Sequence, residues 1–403
     1  MKQKPLQGIK VVELATYVAA PACPRILGDW GAEVIKIEAP GGDPGRRQAP
    51  VFNMPLLDDE PSAFDFTGIN KKFICINLKS PDGKAAALKL LDGADVFVTN
   101  LRTKALERLG LDYEALSKRN SRLVFAQILG FGEKGPEKDT PGYDVTAYVA
   151  RGGILGSFHE RGTSPINEPN AFGDFQAAAV LAGGVCGALY AREKTGRGDK
   201  VTVALQHLAT WAMTVAVCSS QYGNVYPKSR REVANPFNCT YVTKDNRWMV
   251  ICLPDYDVYY EKFMRLIGRE DLLGEEDICT IAAVFERNTS SKVIDNIGEA
   301  IAKQPIDYWM KLFKENDVPC ERGYLPVEML EDEQAWANDY LRKIQYPSGN
   351  ERILTTSPVQ FKSMGCPDMV SSKPLGYHTT EVLKEFGYSD AEIDKMRAEQ
   401  AII

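Results

Sequence analysis

Histidine is almost missing from this chain. There are three in 403 residues, His159, His207 and His378, and none is paired at metal-ligand spacing. A histidine-based triad therefore lacks support, and no G-x-S-x-G elbow is present to carry one. The nine cysteines, an odd number, contain no C-x-x-C pair. Disulfides and a zinc finger are not expected, and a reducing cytoplasm is. The absence of G-x-x-x-x-G-K-[ST] removes nucleotide hydrolysis. Positive charge is also short: 48 Lys and Arg face 54 Asp and Glu, for a net charge of -6. That balance argues against a nucleic-acid partner held through phosphates. The longest apolar stretch, Ala177 to Ala191, is short for a bilayer span and holds three glycines. It reads as a core helix, with no membrane partner. Met1-Lys2-Gln3-Lys4-Pro5 leads straight into strand-like sequence, so no secretory leader is expected.

What is present is ordinary soluble composition, 44% apolar and 25% charged, with length for about two or three domains. The first third alternates strand and helix patterns. Strands are expected at Ile9–Leu14, Val34–Ile37, Phe73–Leu78, Asp95–Thr99 and Leu123–Leu129. Helices are expected at Ala19–Trp30 and after Ser80-Pro81, with Ser80 as cap and Pro81 as first helical residue. Alternation of this kind predicts an α/β fold with a mostly parallel sheet, and ligands at the carboxyl ends of its strands. A long loop spans Ala39 to Phe66. Helix 175–193, strand 200–205 and an apolar helix from His207 to Ser219 follow. Residues 248–253 and 351–362 read as strands, 257–317 as amphipathic helices, and Glu381 to Gln400 as one terminal helix.

Gly130-Phe131-Gly132-Glu133-Lys134-Gly135 follows a strand and matches G-x-G-x-x-G, but Pro136 and Pro141-Gly142 prevent a helix from opening there. A nicotinamide site is disfavoured. Lys71, Lys72, Lys79, Arg102, Lys104 and Arg108 cluster near strand ends. They are read as solvated helix faces, or alternatively as phosphate ligands. Asp58-Asp59-Glu60 is read as a solvated charge run, His159 as solvated and His207 as a satisfied core residue.

Gly173-Asp174 places one acid at the start of an apolar helix. A carboxylate there accepts bonds from unpaired amides, sits at the positive end of the helix dipole and stays ionised. On local sequence a cap is its commoner role. An ionised carboxylate is also a nucleophile.

The ordered blocks are more specific. They are Gly8-Ile9-Lys10-Val11-Val12-Glu13-Leu14, Ala20-Pro21, Gly31 through Glu38, Asn70-Lys71-Lys72, Ala94-Asp95-Val96 with Asn100, Pro141-Gly142-Tyr143-Asp144, Gly173-Asp174, Thr195-Gly196-Arg197-Gly198 and Glu381-Val382-Leu383. Together they resemble the class III CoA-transferases (CaiB/BaiF type) across essentially the whole chain. Phe125–Ile128, Gly132–Pro136, Gly198–Val203 and Leu330–Leu341 resemble the clostridial branch acting on (R)-2-hydroxy acids.

The resemblance implies a Rossmann-like large domain built from both chain ends and a smaller α+β domain, in an interlocked homodimer. The boundaries expected are 1–205, a linker helix at 206–225, a small domain at 226–325 and a return at 326–403. It implies Asp174 as nucleophile, forming a covalent aspartyl intermediate. CoA contacts carry over to Val18 and Ala19, to Ile76, Asn77, Leu78 and Lys79, to Asn100, Leu101 and Arg102, to Arg108, and to Pro141, Gly142, Tyr143 and Asp144. CoA thioesters would be substrates, with no metal and no permanently bound cofactor.

The implied reaction moves CoA from an acyl-CoA or 2-enoyl-CoA, such as an arylacryloyl-CoA or isocaprenoyl-CoA, to an aryllactate or 2-hydroxyisocaproate in amino-acid fermentation. Phe175, Trp211 and Tyr222 are candidates for the side-chain pocket. Amides at the α-helix start near Gly173 are expected to hold the oxyanion. One departure is Ala39, where a related branch has an arginine; Arg46 or Arg47 is the replacement candidate. Two rival readings are an acyl-CoA racemase, which lacks its histidine because Tyr143 stands there, and a non-catalytic CoA-binding partner of a 2-hydroxyacyl-CoA dehydratase.

Overall fold

Short runs of Val, Ile and Phe build one six-stranded sheet. Its strands are β1 (Lys10–Leu14), β2 (Glu33–Glu38), β3 (Lys72–Cys75), β4 (Val96–Thr99), β5 (Val124–Leu129) and β6 (Lys200–Ala204). The computed structural model describes residues 4–366 and 368–403. The strand order is β3-β2-β1-β4-β5-β6 and every pairing is parallel. Strands β1 to β5 are buried along nearly their whole length, as a parallel sheet covered by helices requires. β3 stops at Cys75, short of the expected Leu78, because Ile76 turns away to bridge Ile402 and the Asn77 amide donates to Ala401.

One face of the sheet carries α1 (Ala19–Asp29), and α2 (Pro81–Asp92) lies on the other; α3 (Phe172–Thr195) packs on α1. The α1–α3 contact is lined by small residues, Ala20, Ala22 and Cys23 against Ala177, Ala178 and Ala182, which lets the two helices approach closely. By length and composition α3 is long enough to cross a bilayer, longer than its sequence suggested. In the fold its Leu181, Val185 and Leu189 sit in the same core as Val96, Val98 and Val124 of the sheet. Ser80 takes the cap position of α2 without a side-chain bond. The opposite core joins α2 to Val382, Leu383, Ile393 and Met396 from the chain's far end.

Two compact units result. The first comprises Met1–Leu155, Asn167–Cys218 and Glu333–Ile403; the second comprises Gly156–Ile166 and Ser219–Asp332. These divisions differ from the expected boundaries at 225/226 and 325/326. Residues 206–225 are not one helix: Leu205–Ala212 and Thr214–Ser220 are separate, interrupted at Met213. The second unit has an antiparallel sheet of Asn238–Val242, Trp248–Cys252 and Cys320–Arg322. Its own core holds Phe237, Tyr256, Phe263, Ile297 and Phe313.

Several expectations give way, some to local breaks and some to long-range contacts. The terminal helix is two helices, Thr379–Glu385 and Asp390–Ala398, because Gly387 adopts φ 81° and Ser389 opens a capping box with Glu392. The strand over 351–362 shortens to Glu351–Thr355 and pairs with an unexpected strand, Leu341–Gln345. Glu60 is buried rather than solvated; it binds Arg352 Nε at 2.6 Å, Asn350 Nδ2 at 2.6 Å and Ser348 Oγ at 3.0 Å. His207 faces outward, because its helix turns Leu205 and Ala209 to the core instead.

Candidate active site

A cavity of about 160 Å³ opens where β1, β4 and β5 end. The strand order reverses between β1 and β4, and open parallel sheets bind ligands outside the carboxyl ends at that switch point. Thr16, Tyr17 and Ala19 enter the wall from the β1 end, Asn100 and Arg102 from the β4 end, and Gly130 from the β5 end. Asn100 locks the first two ends together: its Oδ1 accepts from the Thr16 amide at 3.1 Å and its Nδ2 donates to the Thr16 carbonyl at 2.8 Å. The loop after β5 folds back on itself, because a Cβ on Gly130 would stand 2.6 Å from Gly142 Cα. Lys104 pins that loop through an ion pair with Asp139 at 2.7 Å.

Asp174 faces this cavity from the first turn of α3. It is not the cap. The cap position is Ala171, in the left-handed conformation at φ 62°, with no side-chain cap bond. The capping carboxylate comes from elsewhere: Asp144 Oδ1 accepts from the Gly173 amide at 2.9 Å. Asp144 opens a π-helical stretch, Asp144–Ala150, which also carries Tyr148. Gly173 is required by this arrangement, since a Cβ there would meet Tyr148 Cγ at 2.2 Å and Asp144 Oδ1 at 2.6 Å.

The electrostatics reverse the expectation for Asp174. Burial, then the neighbouring Asp144 charge, pushes its carboxyl up to about 7. No helix amide offsets that rise, and the Gly173 amide bonds Asp144 instead. For the same reason the Gly173 amide is not free for an oxyanion. Burial pushes Asp144 up as well, and the Gly173 amide opposes that.

Among the residues expected to touch CoA, Ala19, Asn100, Arg102, Pro141, Gly142 and Tyr143 line the cavity with Asp174. Val18 lies next to it as the cap residue of α1. Asp144 is buried behind Asp174. Leu101 turns its carbonyl to Gln127 Nε2 at 2.9 Å. Ile76 is buried, Asn77 Oδ1 accepts from the Lys79 amide at 3.1 Å, and Leu78 is partly buried in the core around α2. Lys79 and Arg108 are exposed. None of these last six lines the cavity.

Other basic residues are committed to structure. Lys71 is fully buried, 2.6 Å from Glu13, and Lys72 bonds Glu33, Glu381 and Glu385. Neither is a solvated face or a phosphate ligand. Arg46 grips Glu38 at 2.6 Å and 2.8 Å, with its guanidinium 4.2 Å from the Phe64 ring centroid, so it cannot stand in at Ala39. Arg47 is exposed.

Phe175 and Trp211 are not among the residues lining this cavity, and Tyr222 belongs to the second unit. Trp211 and Tyr222 are exposed, and Phe175 lines a separate cavity with Arg25 and Ile26. Sequence reasoning missed Thr16, Tyr17, Lys138 and Thr140. Their signal was positional: Thr16 and Tyr17 directly follow β1, and Lys138 and Thr140 lie in the loop after β5. No histidine is among the residues lining this cavity.

Comparison with known proteins places this geometry. Residues 6–379 match the family model for CoA-transferase family III. The chain is 46% identical over 399 residues to cinnamoyl-CoA:phenyllactate CoA-transferase of Clostridium sporogenes, covering 98% of this chain and 97% of that one. It is 42% identical to (R)-2-hydroxy-4-methylpentanoate CoA-transferase of Clostridioides difficile, over 98% of this chain and 99% of the relative. The crystal structure of a CAIB/BAIF family protein from Brucella suis superposes with a TM-score of 0.78 at 27% identity, over 95% of this chain and 100% of that one.

Proposed function

The chain belongs to CoA-transferase family III, and we propose that it moves CoA from an acyl-CoA or 2-enoyl-CoA to a free (R)-2-hydroxy acid through Asp174. The observation that carries the reading is a carboxylate poised near neutrality, facing a cavity at the β1/β4 switch point. A carboxylate with a raised pKa is a stronger nucleophile than an ordinary one, and enough of it is ionised at pH 7 to attack.

In the proposed cycle an Asp174 oxygen attacks the thioester carbonyl. The C–S bond breaks and CoA leaves as thiolate, leaving a mixed anhydride. The thiolate then attacks the Asp174 carbonyl, releasing the first acid and giving an aspartyl-CoA thioester. The carboxylate of the hydroxy acid attacks that thioester, and the returning thiolate takes the new acyl group. Bonds made and broken balance, so the thioester energy is conserved without hydrolysis of ATP.

The Gly173 amide is engaged by Asp144, so the oxyanion needs another donor. The Ala19 and Ala20 amides precede the first bond of α1, which Ala22 makes to the Val18 carbonyl at 2.9 Å, and Ala19 stands at the cavity wall. The carried-over contacts at Val18, Ala19, Asn100, Arg102 and Pro141 through Tyr143 would hold the pantetheine end nearby. An interlocked homodimer accords with the apolar side chains left exposed on the first unit, among them Val180, Tyr190, Trp211 and Val215. Light scattering at gel-filtration exit tests it. The product, a 2-hydroxyacyl-CoA, is what a 2-hydroxyacyl-CoA dehydratase consumes.

The deciding experiment is mass spectrometry after trapping with hydroxylamine in the presence of acyl-CoA. A hydroxamate on Asp174 is the expected result. Full transfer by Asp174→Ala would refute the covalent reading.

A further inference from the structure

We propose that Tyr17 selects an aryl side chain on the acceptor acid, and that a buried ion quartet beneath it holds its ring in place. The inference rests on the reading of Asp174 as nucleophile and deepens it by naming the acid's side-chain class.

Tyr17 lines the same cavity as Asp174. Its backbone has φ 66°, the left-handed region that a bulky residue rarely occupies. Asparagine or glycine would take this turn with less strain. A strained residue at the wall of a site persists where the surroundings fix it, and it points to a role for the side chain presented there.

What fixes it is buried beneath the cavity. The Tyr17 amide donates to Asp43 Oδ1 at 3.1 Å. Asp43 Oδ2 is 2.8 Å from Lys36 Nζ, which also bonds Glu13 Oε1 at 2.6 Å and the Ala15 carbonyl at 2.8 Å. Lys71 closes the set on Glu13 Oε2 at 2.6 Å and on the Pro21 carbonyl at 2.7 Å. Two lysines and two carboxylates thus cancel, all of them buried. Ala15 and Pro21 bracket Tyr17, and Thr16 is clamped by Asn100. The turn is tied on both sides and underneath.

The ring meets Tyr143, also in the cavity wall, with centroids 6.3 Å apart and planes at 89°. Two perpendicular rings give an entering aryl group one ring edge and one ring face. Edge-to-face contact favours an aromatic over an aliphatic partner by roughly three- to tenfold. A branched alkyl group fills the same space without that term.

The test is a competition between (R)-phenyllactate and (R)-2-hydroxyisocaproate for one 2-enoyl-CoA donor, read as the ratio of kcat/KM. The wild-type protein is expected to prefer the aryl acid. Tyr17→Leu keeps most of the volume and should move the ratio roughly three- to tenfold toward the aliphatic acid. Tyr17→Phe should leave it unchanged. Tyr17→Asn, suited to a left-handed backbone, should behave as Tyr17→Leu if that variant fails to fold. Asp43→Asn, acting on the positioning of Tyr17, should move the ratio in the same direction; a merely structural role would lower thermal stability and leave the ratio alone.

An unchanged ratio in both Tyr17→Leu and Tyr17→Asn overturns the proposal, and so does an equal change in Tyr17→Phe. Hydroxylamine trapping on Asp174 with donor alone separates the two readings. No adduct in the wild-type protein defeats the nucleophile, while the ratio still judges Tyr17.

Discussion

Two clusters of buried charge lie against one cavity, and they are built on opposite rules. Under Tyr17, Glu13 and Asp43 are matched by Lys36 and Lys71, each within 2.8 Å of a partner. At the start of α3, Asp144 and Asp174 are two like charges with no cation among the causes that shift them. Balanced charge holds shape, because every ion has its counter-ion and its hydrogen bonds. Unbalanced charge shifts protonation, because burial and then like-charge repulsion push the carboxyl of Asp174 up to about 7. Asp144 is able to sit there since the Gly173 amide bonds it, and Asp174 is left with the repulsion.

The comparison breaks in four ways. The largest effect is expected on the reactive side: Asp174→Asn should lower kcat by at least about 10⁴-fold, on the order of 5 kcal/mol, in a steady-state transfer assay. On the balanced side, Lys36→Met leaves Glu13 and Asp43 short of a cation. Urea unfolding should show a loss of about 3–5 kcal/mol. Gly173→Ala forces a methyl group to within 2.2 Å of Tyr148 and should cost about 1–3 kcal/mol in the same assay, with activity falling as Asp174 is displaced.

The smallest effect sharpens the contrast. A protonated Asp174 cannot attack, so kcat/KM should fall as pH drops through about 7. Asp144→Asn removes a neighbouring negative charge, which lowers the Asp174 pKa. The acid limb should therefore move down by roughly half to one pH unit. A limb that stays in place would assign the whole shift to burial.

Much of the fold was legible because it is local. Runs such as Val34-Ile35-Lys36-Ile37 and Val124-Phe125-Ala126 announce buried strands, and β1, β2, β4 and β5 form within a residue or two of their expected ends. Breaks at Gly31 and Gly196 mark where α1 and α3 stop. Leu341–Gln345 escaped notice because its partner strand, not its own composition, makes it a strand. The terminal helix was read as one because Gly387 sits in an otherwise helical pattern.

The site divides in the same manner. Asp174 and Pro141 through Asp144 were legible as motif blocks, and the cavity gathers most of them except Asp144 itself. The roles within the set were not. Lys71 looked like a surface cation, and nothing adjacent in sequence reveals that Glu13 lies under it. Arg46 looked available until Glu38 and Phe64 closed on it.

By itself, the sequence determined the family, the parallel sheet's strands and the acid at the head of α3. Those rest on ordered blocks and on periodicities that a few neighbouring residues express. Only the tertiary structure decided which carboxylate caps α3 and which faces the cavity. Asp144 and Asp174 are 30 positions apart in the chain. Burial raises both, the Asp144 charge adds to the rise at Asp174 and the Gly173 amide opposes the rise at Asp144, and all of these exist only once the chain has folded.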